Sequence, residues 1–384
     1  MRYKTLGKTR SRISAIGQGC MGIGGYLSEN TVHDDAHANA LKLGIELGMT
    51  FIDTSETYGG GHSEEIVARA IEGIRDRVFI TTKVSPEHLS FHELLRSAEG
   101  SLRRLNTDHI DLYQVHWPNP KIPISETMRA MGRLVREGKV RYVGVSNFSL
   151  KELKEARATI SEGEIVSIQV EYNLFDRTAE NSVLRYCESE SITTIASSPL
   201  DQGQIASGDK RVRVLQMIAN KCDRTMAQVA LNWLVSHPSV IAIPKATNPD
   251  HIRENASAVD FRLSDEDFRE ISNIFAQQCV YVPVGRIRVI VGGQGNRKVY
   301  QSVEEAIGNK LGFVPSPVDL AQNIQDGEVL KPVRVIRSTD KTGKYDYDLI
   351  EGRIRYWAWV IAHNGEKPIP VYVRDNRKQI NDGV

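Results

Sequence analysis

Along the first two thirds of the chain, short runs of β-branched and aliphatic residues alternate with longer segments in which apolar residues recur every three or four positions. Residues 1–14 alternate and turn at Gly7-Lys8, which predicts a small hairpin, and Ile16-Gly17-Gln18-Gly19-Cys20-Met21 begins a buried strand. Strands are then predicted over 50–54, 78–84, 110–116, 140–146, 166–171, 192–197 and 240–245, and helices over 33–47, 63–73, 91–105, 124–137, 149–159, 179–190 and 225–236. Eight strands with short loops, apolar on both faces and interleaved with helices, predict a closed (β/α)8 TIM barrel rather than an open doubly wound sheet. A further helix, Ser264 to Phe275, opens on Leu263-Ser264-Asp265-Glu266, a capped start.

The beat changes after residue 278. A strand over Val282–Val289, a helix over Ser316–Ile324, strands over Pro332–Arg337 and Tyr345–Ile350, a helix over Arg353–Ala362 and a strand over Ile369–Val373 make an α+β pattern. Two domains are therefore expected, 1–278 as the barrel and 279–384 as a smaller α+β unit.

Composition adds little direction. A formal net charge of +1 gives no push toward nucleic acid or membrane, and the 16 basic against 12 acidic residues from position 279 onward do not argue for DNA binding. Cys20, Cys187, Cys222 and Cys279 are widely spaced, so neither a disulfide framework nor a zinc site is suggested. No signal-type or membrane-length apolar run is present, and a cytoplasmic protein is expected.

Candidate chemistry gathers at strand ends, which share one face of such a barrel. Phe51-Ile52-Asp53 ends the second strand, Tyr58 and Gly59-Gly60-Gly61 follow it, Lys83 ends the third and His116 the fourth. A buried lysine needs a partner, and Asp53 can serve it. A free phenol titrates near pH ~10, and a neighbouring ammonium favours phenolate. Tyr58 is thereby expected to become a usable general acid, with its pKa lowered by Lys83, while a neutral His116 orients a carbonyl oxygen. The glycine run is expected to give a substrate loop freedom.

In these residues the chain resembles the aldo-keto reductase family, whose Asp, Tyr, Lys and His tetrad falls on Asp53, Tyr58, Lys83 and His116. The resemblance implies reduction of a small-molecule aldehyde or ketone by a nicotinamide cofactor. No Gly-x-Gly-x-x-Gly follows an early strand, so other loops must hold that cofactor. It further implies that Ser146, Asn147 and Gln169 meet the nicotinamide carboxamide, that Ser198, Pro199, Leu200 and Gly203 lie along the pyrophosphate, and that Lys245, Thr247, His251, Glu254 and Asn255 serve the adenosine end. Lys245 suits a 2′-phosphate, which favours NADP, while His251 attracts it less than the family's Arg and leaves NAD open.

Other motifs carry less. His33 and His37 stand four apart, but beside Asp34 and Asp35 they read as a helix start rather than a metal site. Gly292-Gly293-Gln294-Gly295 lacks the Lys-Ser/Thr of a phosphate loop and reads as a turn.

In the second domain, Asp348 to Ala358 with Ile369-Pro370-Val371, and Leu330-Lys331-Pro332-Val333 upstream, resemble the ParB and sulfiredoxin superfamily. That resemblance implies nucleotide phosphates, of ATP, ADP or CTP, held by Gly352, Arg353 and Arg355. Arg353 stands where sulfiredoxin has its catalytic cysteine, so sulfinic acid reduction is not expected. Three readings follow: an NADPH-dependent carbonyl reductase with a nucleotide-binding appendage, a regulatory protein that senses nicotinamide redox state, and a nucleotide-dependent kinase or switch in the second domain. The oligomeric state is left open.

Overall fold

The computed structural model describes residues 1–384 except 202, 204–209, 277–278, 291–298, 327–329 and 375–384. The Gly292–Gly295 run lies outside the described residues. One compact unit ends at Phe275 and a second begins at Ala276.

In the first unit, strands β1 (Tyr3–Thr5) and β2 (Arg12–Ser14) form the antiparallel hairpin that the alternation predicts. Its Leu6 and Ile13 pack with Phe51, Phe79, Leu112 and Ile241 and plug the N-terminal end of the barrel. The barrel strands are β3 (Gln18–Gly19), β4 (Phe51–Asp53), β5 (Phe79–Val84), β6 (Ile110–Val115), β7 (Val140–Ser146), β8 (Ile165–Glu171), β9 (Thr193–Ser197) and β10 (Val240–Ala242). They lie in chain order and all pair in parallel. An Ile16 to Ala242 bridge closes the ring, with Gly17 N donating to Ala242 O at 2.8 Å and Ala242 N to Ala15 O at 3.0 Å.

Seven helices predicted between the strands are present: α1 (Asp34–Glu46), α2 (His62–Ile71), α3 (Phe91–Arg104), α4 (Ile124–Arg136), α5 (Leu150–Thr159), α6 (Val183–Glu190) and α8 (Met226–Ser236). Each turns an apolar stripe onto the sheet; Leu94, Ala98 and Leu102 do so on α3. A further helix, α7 (Lys210–Lys221), was not expected from the sequence. Its Arg211-Val212-Arg213-Val214 start alternates like a strand, but Leu215, Ile218 and Ala219 are buried together. Helices α9 (Pro249–Ser257) and α10 (Asp265–Ile274) finish the unit.

Several boundaries moved for local reasons. The predicted 179–190 helix starts only at Val183, because Ser182 breaks the backbone after a 3-10 turn over Thr178–Asn181. The eighth strand stops at Ala242, short of Pro244, which has no N–H to give a ladder.

The second unit holds a mixed five-stranded sheet in the order β11, β15, β13, β14, β12, formed by β11 (Val280–Val282), β12 (Ile287–Val289), β13 (Val333–Arg337), β14 (Tyr347–Glu351) and β15 (Ile369–Arg374). The single strand expected over Val282–Val289 is split by Pro283 and a 3-10 turn at Val284–Arg286, so its halves join different neighbours. Helices α11 (Val303–Ile307), α12 (Pro317–Gln325) and α13 (Arg353–Ala362) accompany it. Tyr356 and Trp357 of α13 are buried in a core with Val333, Val335, Leu349, Ile369 and Val371. No helix among the described residues is long and apolar enough to cross a membrane.

Candidate active site

Asp53, Lys83 and His116 stand at or just past the C-terminal ends of three adjacent strands, and Tyr58 hangs over them from the loop after β4. All of the first three are buried. Lys83 Nζ donates to Asp53 Oδ2 at 2.8 Å and to the Thr54 carbonyl at 2.8 Å, and lies 3.5 Å from the Tyr58 hydroxyl. Tyr58 and His116 meet edge to face with centroids 5.7 Å apart. One His116 nitrogen, Nδ1, is tied to the hydroxyls of Ser55 at 3.1 Å and Thr57 at 3.4 Å, and the ring stacks on Trp117 at 4.0 Å. Asp53, Lys83 and His116, from three successive strands, thus gather around one phenol.

Their charge states follow from the surroundings. Burial and the Lys83 ammonium hold His116 well below the usual imidazole range, so it is neutral. Burial works against the Lys83 charge, but Asp53 and then Tyr58 outweigh it and the net shift is upward. Tyr58 corrects the sequence expectation: burial raises its pKa, and the Lys83 ammonium offsets only part of that rise. The phenol therefore keeps its proton firmly, with a cation positioned to receive the phenolate that forms once the proton leaves.

The glycine run is also corrected. Gly59, Gly60 and Gly61 all have positive φ, and a Cβ on Gly59 would collide with the Gly24 carbonyl. Gly59 fixes a close backbone crossing, Gly61 leaves room for the Arg104 side chain, and the run leads into α2 rather than giving a loop freedom.

Ser146, Asn147 and Gln169 surround the same mouth. Asn147, with φ of 60°, turns its amide nitrogen to the His116 carbonyl and to Ser146 Oγ, both at 3.0 Å. Gln169 Nε2 donates to Asp53 Oδ2 at 3.3 Å. In the loop after β9, Ser198 has φ of 47° and Gly203 of 87°, Pro199 is buried and Leu200 half-buried, and Asn173 Nδ2 holds the Ser198 carbonyl at 3.0 Å. After β10, Lys245 and His251 are exposed and Thr247 is half-buried, beside the N-terminus of α9 capped by Asn248. Asn255 is buried, and Glu254 accepts from Thr225, the cap of α8. Glu254 thereby ties two helices together.

Sequence reasoning passed over Glu56 and Gln114. Glu56 Oε1 accepts from Ser85 N at 2.7 Å and its other oxygen from Ser97, which staples the Tyr58 loop to the loop after Lys83. Gln114 donates to Thr81 Oγ1 and Gln169 Oε1, each at 3.1 Å. Its signal was present: Gln114 precedes His116 by two, and a strand returns to the same face every second residue.

In the second unit, Gly352 has φ of 88° and N-caps α13. Arg353 begins the helix, while Arg355 Nη1 donates to the carbonyls of Lys331 at 2.9 Å and Pro332 at 3.0 Å. Glu351 pairs with the buried Arg334 and lies 3.5 Å from Arg355.

Comparison with known proteins bears on the first unit. Residues 15–276 match the aldo/keto reductase family. Methylglyoxal reductase YeaE of Escherichia coli is 35% identical over 264 residues, covering 68% of this chain and 91% of that enzyme. The crystal structure of a thermostable aldo-keto reductase, Tm1743, in complex with the inhibitor epalrestat superposes with a TM-score of 0.69 at 43% identity, over 71% of this chain and all of that one. An aldo/keto reductase from Klebsiella pneumoniae in complex with NADP and acetate gives 0.65 at 36% identity, over 72% and 96%. The match begins just before the first barrel strand and ends beside Phe275, where the first compact unit ends, so it spans the whole ring of strands on which the tetrad is built. On that footing the chain belongs to the aldo/keto reductase family and is an NAD(P)H-dependent oxidoreductase.

Proposed function

We propose that the barrel reduces an aldehyde or ketone to an alcohol with NADPH, with Tyr58 as the general acid. The observation that carries this reading is the buried Lys83 ammonium, held by Asp53 at 2.8 Å and set 3.5 Å from the Tyr58 hydroxyl. Bound NADPH would supply the hydride. The chain's own residues do the rest: Tyr58 donates its proton to the oxygen that gains charge, Lys83 steadies the resulting phenolate, and neutral His116 donates a hydrogen bond without competing for the proton.

The donor set fits such a cofactor. Ser146, Asn147 and Gln169 offer uncharged hydrogen-bonding groups at the ends of β7 and β8, suited to an amide. Lys245, exposed near the N-terminus of the nine-residue helix α9, suits a phosphate, which favours NADP over NAD. Because one relative is named for methylglyoxal, that dicarbonyl is the first substrate to test.

Tyr58→Phe should lower turnover about 10²- to 10⁴-fold while NADPH binding, followed by fluorescence, stays unchanged. Retained turnover would reject the assignment. Slow turnover of every carbonyl by the wild type, with tight NADPH retention, would instead support the redox-sensing reading.

For the second unit we propose a ParB- and sulfiredoxin-like nucleotide site at the N-terminus of α13, formed by Gly352, Arg353 and Arg355. Its support is the glycine cap, the cations Lys331, Arg334 and Arg355 around Glu351, and Arg353 at the first position of α13. Calorimetric titration of the full chain with ATP, ADP and CTP should give saturable binding that Arg355→Ala abolishes. A folded chain that binds none of them removes this site and the kinase or switch reading with it.

A further inference from the structure

Directly beneath the tetrad the barrel interior is polar, although the layer below it is built of Phe51, Phe79, Leu112 and Ile241. Thr81, Gln114, Ser167 and Gln169 are all buried. Gln114 Nε2 donates to Thr81 Oγ1 at 3.1 Å and to Gln169 Oε1 at 3.1 Å, and Gln169 Nε2 donates to Asp53 Oδ2 at 3.3 Å. The direction of this ladder follows from its end. An ionised carboxylate only accepts, so Gln169 must turn its NH2 group to Asp53 and its oxygen to Gln114. Gln114 must then turn its own NH2 group to that oxygen.

The fold makes room for this arrangement. Gln114 and Gly144 are register partners across β6 and β7, and Gly144 and Ser167 across β7 and β8. A Cβ on Gly144 would collide with Ser167 Oγ and come within 3.1 Å of Gln114 Cγ. A glycine inside a buried strand marks such a close approach.

We propose that Gln114 is a positioning residue of the reductase: it locks the Gln169 amide with its NH2 group on Asp53, and through that bond keeps the Asp53–Lys83 pair in the arrangement Tyr58 requires. This rests on the reductase reading above. Electrostatics agree with the geometry, since burial pushes the Asp53 carboxyl up, opposed by Lys83 and then by the Gln169 hydrogen bond. Without Gln114 the Gln169 amide is free to rotate, and Asp53 loses its second donor. Held in place, Gln169 has both ends engaged in the barrel and offers a bound amide its remaining N–H and the second lone pair of Oε1.

The test uses Gln114→Met, which keeps the volume and removes the amide, and Gln114→Glu. In cofactor-free protein, the Gln169 side-chain NH2 protons, assigned by NMR, should exchange with solvent about tenfold faster in Gln114→Met. Turnover should fall about tenfold, and the acid limb of its pH profile should move to higher pH because the Asp53 carboxylate is less well held. In Gln114→Glu the introduced carboxyl, while protonated, can still donate to Gln169, so this variant should recover turnover at acid pH and lose it as that carboxyl ionises. A Gln114→Met variant with wild-type amide exchange and a wild-type pH profile would overturn the proposal. Wild-type turnover no better than that of Tyr58→Phe would reject the reductase reading instead, and amide exchange would still decide the ladder.

Discussion

Replacing Asp53 with Asn removes one charge from a pair that is almost wholly sealed from water. The Lys83 side chain is 1% exposed and that of Asp53 3%, with 2.8 Å between them. After the change Lys83 keeps the Thr54 carbonyl and the Tyr58 hydroxyl, neither of which carries a charge at neutral pH. An ammonium left buried without its carboxylate costs about 3–5 kcal/mol. Lys83 can avoid part of that cost by giving up its proton, in which case its folded pKa drops below its unfolded value near ~10.4. The sign is then fixed: the unfolded state binds the extra proton, so the variant gains stability as pH rises toward the unfolded pKa. The loss should therefore be about 3–5 kcal/mol at pH 7 and shrink by about 1.4 kcal/mol for each pH unit above that, once Lys83 is neutral in the folded state. Hydrogen exchange read on peptides covering β5 and β6 reports this without interference from the second unit. A loss below about 1 kcal/mol, or one that does not change between pH 7 and pH 10, would refute the buried-pair argument.

Further expectations follow from the same interior. Gly144→Ala should lower barrel stability by about 1–3 kcal/mol in a thermal or denaturant melt, since the new methyl must displace Ser167 or Gln114 from a packed layer. His116 is held neutral by burial and by Lys83, so turnover should show no histidine-type inflection between about pH 6 and pH 8; a fall through the ordinary imidazole range near ~6.5 would refute this placement. The general-acid role of Tyr58 and the nucleotide site at Arg355 stand or fall on the substitutions already described.

Much of the barrel was legible because its signals are local. Asp53, Lys83 and His116 each end an apolar run, and a charged or titratable group at such a place has few innocuous explanations. Gln114 was legible only in part: its place two residues before His116 puts it on the same strand face, but its partners depend on the registers of β6, β7 and β8, which no single strand encodes. The Tyr58 phenol was misjudged for a related reason: proximity to a cation is readable from chemistry and order, whereas burial is a property of the assembled fold and here it is the larger influence. Helix α7 escaped notice because its opening alternates Arg and Val, and the apolar residues that bury it come only afterward. In the second unit Pro283 gave a clear warning of a broken strand that the run of valines obscured.

The seam that closes the ring has a consequence for synthesis. Ile16 bridges to Ala242, and Lys4 Nζ donates to the carbonyls of Val235 at 2.7 Å, His237 at 2.6 Å and Val240 at 2.5 Å. The segment from Lys4 to Ile16 thus waits for the last barrel strand, Lys4 for a carbonyl 236 residues further along, before its ammonium and its sheet edge are satisfied. Until then β3 lacks one neighbour, and β3 is the strand against which Asp53 is registered. A nascent chain that stops short of Val240 holds every member of the tetrad in its sequence yet keeps an open edge beside the strand that carries Asp53, exposed to pairing with other chains. Assembly of the tetrad is therefore tied to completion of the barrel rather than to emergence of its residues.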